Sequence, residues 1–195
     1  FSHDDKMLIA VIGGRIYIWN LESASSSPSS EISVIGSINV AKFTTDGLGI
    51  VAGCSNGDVL ILDTLGNLLF TNSDDSKIIN DLAFTSDGEY VISVSNSGTT
   101  RVIKLADGTE HYVHSTNLHQ GSINSIDLIS RTIGPNTNDI IVTGGDDEQF
   151  RIAVWDECDD GGFLIAETSL YSISSMTSNK ISSVMFDPFN GDALV

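Results

Sequence analysis

Basic residues are scarce in this sequence, with nine Lys plus Arg standing against 26 Asp plus Glu for a formal charge of −17. Such a field repels phosphate backbones and anionic headgroups, so no direct nucleic-acid partner is expected and a basic protein or peptide segment is the favoured ligand. Acidity is also an ordinary way of keeping a β-rich surface soluble. Cysteine is nearly absent: Cys54 and Cys158 lie far apart and in no paired motif, which excludes a disulfide framework and a four-Cys zinc site. No Asn stands in an Asn-x-Ser/Thr acceptor, and together these point to a reducing, intracellular setting, cytoplasmic rather than nuclear. Long apolar runs are missing too. Met7 to Ile12 and Val59 to Leu62 fall far short of the roughly 20 residues of a membrane helix, so no membrane insertion is expected. The chain opens on Phe1 with no signal-peptide pattern, as an internal piece of a longer polypeptide would.

What is present is a mixture of Ile, Val, Ser, Thr, Gly and Asn, with few of the helix-favouring Lys and Glu, which predicts short strands joined by tight turns. These residues are arranged in a repeat. Four segments share one pattern: Ile38-Asn39-Val40-Ala41-Lys42-Phe43, Ile79-Asn80-Asp81-Leu82-Ala83-Phe84, Ile123-Asn124-Ser125-Ile126-Asp127-Leu128 and Ile181-Ser182-Ser183-Val184-Met185-Phe186. Thr45-Asp46-Gly47, Ser86-Asp87-Gly88 and Phe189-Asn190-Gly191 follow as reversing turns, and Asp4-Asp5 after Phe1 takes the same place. A second strand then runs to a second polar turn, as in Gly49 to Cys54, Tyr90 to Ser95 and Ile140 to Thr143. A third strand rises through Ile16 to Asn20, Val59 to Asp63, Thr100 to Lys104 and Ile152 to Asp156. A less apolar fourth strand is expected over Leu68 to Thr71, Glu110 to His114 and Phe163 to Glu167. First strands begin 41, 44 and 58 residues apart. The long third interval is expected to hold an extra loop, Ile129 to Asp139, and a long connection, Glu157 to Asn179. Alternating apolar residues broken by Gly and turn pairs argue against a helical repeat of similar period.

Trp19-Asn20 and Trp155-Asp156, closing third strands after Asp-Gly turns, resemble the WD-repeat family over the whole chain. The resemblance implies an all-β β-propeller of four-stranded antiparallel blades. About four repeats would be present in a larger, about seven-bladed ring, with units at approximately 1–36, 37–76, 77–118, 119–178 and 179–195, the outer two partial. It also implies that His119, Thr143, Asp147 and Trp155 form the family's hydrogen-bonded tetrad, although Asp147 stands two residues further from Trp155 than the family spacing. Leu62 and Ile103 replace Trp elsewhere, and no His precedes Ile38 or Ile79. In the family, partners sit over the face carrying the loops before the first strand and between the second and third. Here that places Asn39, Asn56, Asn80, Asn96, Asn124 and Asp146 at the contact surface.

Candidate chemical sites are weak. His111, His114 and His119 invite a metal reading, but strand positions 111 and 114 alternate between faces. The acidic pairs Asp4-Asp5, Asp74-Asp75, Asp146-Asp147 and Asp159-Asp160 lack the alternating oxygen ligands of a calcium loop. No Gly-x-Ser-x-Gly elbow and no phosphate-loop Lys appear. No metal, cofactor or catalytic residue is therefore expected. The Ser-rich stretch 22–31 is expected to be a mobile loop in the outer region of its blade. The function these features favour is a non-catalytic protein-interaction scaffold within a multiprotein complex. The alternatives are a structural subunit of a coat, pore or cytoskeletal lattice, and a propeller enzyme with a channel metal or cofactor.

Overall fold

The computed structural model describes residues 1–23, 25–34, 36–73, 77–114, 119–133, 136–155, 166–172, 180–187 and 193–194; side chains of 111–114, 132–133, 136–137, 154–155, 166–172 and 193–194 lie outside that description. It is all-β, with no helix among the described residues. The first blade holds β1 (Met7–Ile12), β2 (Arg15–Asn20) and β3 (Ser30–Ile32). The second holds β4 (Ile38–Phe43), β5 (Gly49–Cys54), β6 (Val59–Asp63) and β7 (Leu68–Asn72). The third holds β8 (Ile79–Phe84), β9 (Tyr90–Ser95), β10 (Thr100–Lys104) and β11 (Glu110–His114). The fourth holds β12 (Ile123–Ile133), β13 (Asn136–Gly145), β14 (Gln149–Trp155) and β15 (Ala166–Ser172). A last pair is β16 (Met185–Phe186) and β17 (Ala193–Leu194). Within each blade consecutive strands pair antiparallel, so each blade is a meander.

Period-two alternation sends neighbouring side chains to opposite faces, and that builds the stack. Ile50 and Ala52 face the first blade and pack with Ile16, Ile18 and Ile32, whereas Val51 between them faces the third blade and packs with Ile79, Leu82 and Val91. Tyr90, Ile92 and Val94 meet Ile123, Ile126 and Ile141 of the fourth blade. Val142 meets Ile181, Val184 and Phe186. The first strands β4, β8, β12 and β16 lie side by side.

Turns at the lower end, between first and second strands, repeat one chemistry. Thr44 Oγ1 donates to Asp46 Oδ1 at 2.6 Å and accepts from Gly49 N at 2.9 Å, and Asp46 Oδ1 accepts from Leu48 N at 2.9 Å. Thr85, Asp87 and Tyr90 repeat this, as do Ser2, Asp4 and Met7. Gly47 and Gly88 supply positive φ (70° and 73°), and Asp5 takes the same place at 57°.

Three expectations need correcting. The stretch Ile129 to Asp139 is not an extra loop: β12 and β13 stay paired in register from Leu128↔Ile141 out to Ile133↔Asn136, an extended hairpin. The outer strand of the fourth blade is Ala166–Ser172, later than Phe163 to Glu167, and residues 163–165 lie outside the described part. Ser30 and Glu31 belong to β3, where they pair with Ile18 and Tyr17, rather than to the Ser-rich loop. Asp74-Asp75, Asp156, Cys158, Asp159-Asp160 and the turn Phe189-Asn190-Gly191 also lie outside the described residues.

Candidate functional site

Ile-Asn at the head of each first strand sits at a β-bulge: the register slips between Ile38 and Val40, between Ile79 and Asp81, and between Ile123 and Ser125. A bulge re-aims the extra side chain out of the pleat. The Asn39 amide donates to Ile79 O at 2.8 Å, Asn80 to Ile123 O at 2.7 Å, and Asn124 to Ile181 O at 2.8 Å. Each blade thus reaches the first strand of the next. Asn80 also donates to Ser122 Oγ, and Asn124 to Asp146 Oδ1. Each of these three asparagines, read from sequence as partner-facing, thus places an amide donor on the backbone of the next blade.

A second rung lies deeper along the first strands. Lys42 Nζ meets Asp81 Oδ1 at 2.8 Å, and the other Asp81 oxygen accepts from Ser125 Oγ at 3.2 Å and Ile126 N at 3.1 Å. Asp127 Oδ2 accepts from Phe186 N at 2.7 Å. No role is assigned to these charges from the sequence. The signal was there in the matching places of Lys42, Ala83 and Asp127, and of Val40, Asp81 and Ser125.

Around the fourth blade, His119 is fully buried. Its Nδ1 lies 2.7 Å from Asp147 Oδ1 and its Nε2 2.9 Å from Thr143 Oγ1. Burial lowers the His119 pKa from 6.5 against the opposing pull of Asp147. Burial pushes the Asp147 carboxyl up, but hydrogen bonds from His119 and Gln120 N outweigh it and leave it below 3.8. The carboxylate can only accept, so Nδ1 carries the proton and Nε2 accepts from the Thr143 hydroxyl. Gly145 leaves room for the ring, since a Cβ there would fall 2.5 Å from Nδ1.

Trp155 does not join this trio in register. It stands opposite Asp139, four residues along β13 from Thr143, while Arg151 faces Thr143. That displacement is about 13 Å along the strand. The Trp155 side chain is outside the described part. In the third blade, Ser93 holds the place of Thr143, opposite Arg101, but Asp75 stands four residues before Ile79, where the fourth blade has His119 before Ile123. Among the described residues, Ser93 Oγ is buried without a hydrogen-bond partner.

The unfolded chain takes up the His119 proton first, because the folded pKa is depressed. Stability from this trio is therefore complete above about pH 6.5 and is lost as pH falls below that value. Urea midpoints between pH 8 and pH 5.5 are expected to fall more steeply for the native chain than for His119→Gln. Parallel slopes would refute the neutral, buried imidazole.

Arg101 is the other group missed from sequence. It is 2% exposed on β10 of the third blade. Its Nε meets Glu110 Oε2 at 3.0 Å, its Nη1 donates to Gly57 O of the second blade at 3.0 Å, and its Nη2 bonds Asn72 O and Oδ1. Arg151 repeats the position, with Nη2 on Gln149 Oε1 at 2.7 Å.

The remaining face candidates are at the upper end of the blades. Asn56 and Asn96 are exposed in the β5–β6 and β9–β10 turns, and Asp146 bonds Lys180 in the β13–β14 turn. Turn backbones tie to the strand entries: Ser55 N to Ser37 O, Asn96 N to Ile78 O, Asp146 N to Ser122 O. The side chains of His111 and His114 are not described. Among the described residues no group of three His, Cys, Asp or Glu is placed to hold a metal ion. Cys54 is buried, which raises its thiol pKa to about 11 and makes it a poor nucleophile. No helix of the described residues is long and apolar enough to cross a membrane.

No family model matches the chain. Over 93 residues, 46% of the chain, it is 33% identical to WD repeat and SOCS box-containing protein 1 of Xenopus tropicalis. It is 34% identical over 93 residues to the protein of the same name in Danio rerio. The matched part spans 22% of the length of each of these curated relatives. The similarity is to WD-repeat proteins, over just under half of the chain, and the four-stranded blades agree with it.

Proposed function

We propose that this chain is a stretch of WD-repeat blades that works as a non-catalytic interaction scaffold, offering its turns to a protein or peptide partner inside a multiprotein complex. The observation that carries this reading is where the reactive groups go. His119, Thr143 and Asp147 satisfy one another, Asn39, Asn80 and Asn124 join blades, and Lys42 is bound to Asp81. Among the described residues, the polar turns at the blade ends are left for recognition, on strands joined by the interblade bonds. Similarity to WD-repeat proteins supports the same reading, and the sparse cysteine supports an intracellular, cytoplasmic place of work.

Affinity capture of the full polypeptide from cells, with Asn56→Arg and Asn96→Arg on the upper turns, tests it. Both residues are exposed, so the fold should stand. The expected result is a reproducible set of co-purifying proteins from which the double variant removes at least one. A polypeptide that purifies alone, or one that turns over a substrate in a manner abolished by Asp81→Asn, would overturn the scaffold reading.

A further inference from the structure

Four leucines of the second blade are left in solvent: Leu48 at 75%, Leu65 at 80%, Leu68 at 56% and Leu69 at 52% exposure. Sheet register gathers them. Gly49, next to Leu48, stands opposite Asp63, two residues before Leu65, and Leu68 stands opposite Leu62. Leu48 in the β4–β5 turn, Leu65 in the β6–β7 turn and Leu68 and Leu69 at the start of β7 therefore share the lower end of one blade, the end away from Asn56 and Asn96. A cluster of exposed large apolar side chains at one place is the mark of a contact surface, whereas isolated ones need no explanation.

Charge around this corner is mostly acidic. Asp46, Asp63, Asp87, Glu89 and Asp107 lie in or beside the lower turns of the second and third blades, against Lys104. Turn hydrogen bonds hold several of these carboxyls ionised: Thr44 lowers the pKa of Asp46, Asn67 that of Asp63, and Thr109 that of Asp107. The two blades are contiguous here, since a Cβ on Gly88 would come 2.5 Å from Thr45 Oγ1. Between them opens a cleft of about 440 Å³, lined by Asp46, Gly88, Glu89, Lys104, Leu105 and Ala106. Apolar side chains beside an acidic cleft suit a segment that carries both leucine-like and cationic residues. A second copy of this chain would bring acid against acid.

We infer that the lower corner of the second blade is a docking surface for a basic, amphipathic segment of a partner protein. The apolar face of that segment lies on Leu48, Leu65 and Leu69, and a Lys or Arg enters the cleft beside Glu89. This rests on the scaffold reading above but uses the opposite end of the blades.

The test uses short fluorescent peptides of one pattern in three compositions, Lys with Leu, Lys with Ser, and Glu with Leu. Anisotropy titration against the chain should show the Lys/Leu peptide binding at least about tenfold tighter than the other two. The Leu48→Ser/Leu65→Ser variant should erase its advantage over Lys/Ser, and Glu89→Lys should weaken it severalfold. Asn56→Arg should leave it unchanged. Equal binding of Lys/Leu and Lys/Ser, or an advantage that survives the leucine changes, overturns the surface. An advantage removed by Asn56→Arg moves docking to the upper end and leaves the scaffold reading standing. A concentration-dependent dimer that Leu48→Ser/Leu65→Ser dissolves would assign the corner to self-association instead.

Discussion

Arg101→Ala is expected to destabilise the chain by about 3–5 kcal/mol, because removing one member of a buried charged network strands the others. The guanidinium is 2% exposed and reaches Glu110 in its own blade together with Gly57 O and Asn72 in the neighbouring one. Its loss leaves the buried Gly57 carbonyl without this donor from the third blade. Lysine should not rescue it, since one compact ammonium cannot serve acceptors spread over three residues. The second blade shows what an apolar solution looks like: Leu60 opposite Ala52 holds the place of Arg101 opposite Ser93. Arg101→Met with Glu110→Gln should therefore recover part of the loss. Urea midpoints check this series, and a loss below about 1 kcal/mol for Arg101→Ala would show the network to be ornamental.

Ile79→Ala is expected to cost about 2–5 kcal/mol, the range for emptying a packed core position. Ile79 is 1% exposed and fills the space that Gly53 vacates on the second blade. A Cβ on Gly53 would stand 2.4 Å from Ile79 Cγ2 and 2.9 Å from Val40 Cγ1. Gly53→Ala alone should then cost about 1–3 kcal/mol by overpacking. The two substitutions together should cost less than their sum, with a coupling of about 0.5–3 kcal/mol. Relief stays partial, because the Cβ that alanine keeps at position 79 still falls 2.8 Å away. Strict additivity would show that the two blades do not meet through this contact.

The fold was legible wherever local chemistry punctuates the chain. Strands Ile38–Phe43, Gly49–Cys54, Val59–Asp63, Ile79–Phe84 and Tyr90–Ser95 begin and end where alternating apolar runs meet Asp-Gly, Asn-Gly or Ser-Gly. Residues 129–139 were misread because Ser130, Arg131, Asn136 and Asn138 look like loop composition, whereas cross-strand pairing carries the ladder through them. For Trp155 the Trp-Asp pair is legible in the sequence, whereas the strand length that sets its register is not. β14 runs seven residues against five in β6 and β10, and the longer strand sets the Trp155 backbone opposite Asp139 rather than Thr143. Asn39, Asn80 and Asn124 were visible as a repeat, but their amide partners are set by a bulge, which leaves no mark in composition. Arg101 was invisible because a basic residue in a strand reads as solvent-facing until the neighbouring blade supplies its acceptors.

The asparagine ladder has a direction. Each amide points from one repeat to the main-chain carbonyl of an Ile at the same place in the following repeat, and Ile79, Ile123 and Ile181 present that carbonyl alike. A joint made of one side chain and one backbone atom does not read the identity of the unit it holds. Excising residues 79–122 would bring Asn39 to the carbonyl of Ile123 with the same donor and the same acceptor, so this linkage tolerates loss or duplication of a whole unit where it would not tolerate a change of phase within one.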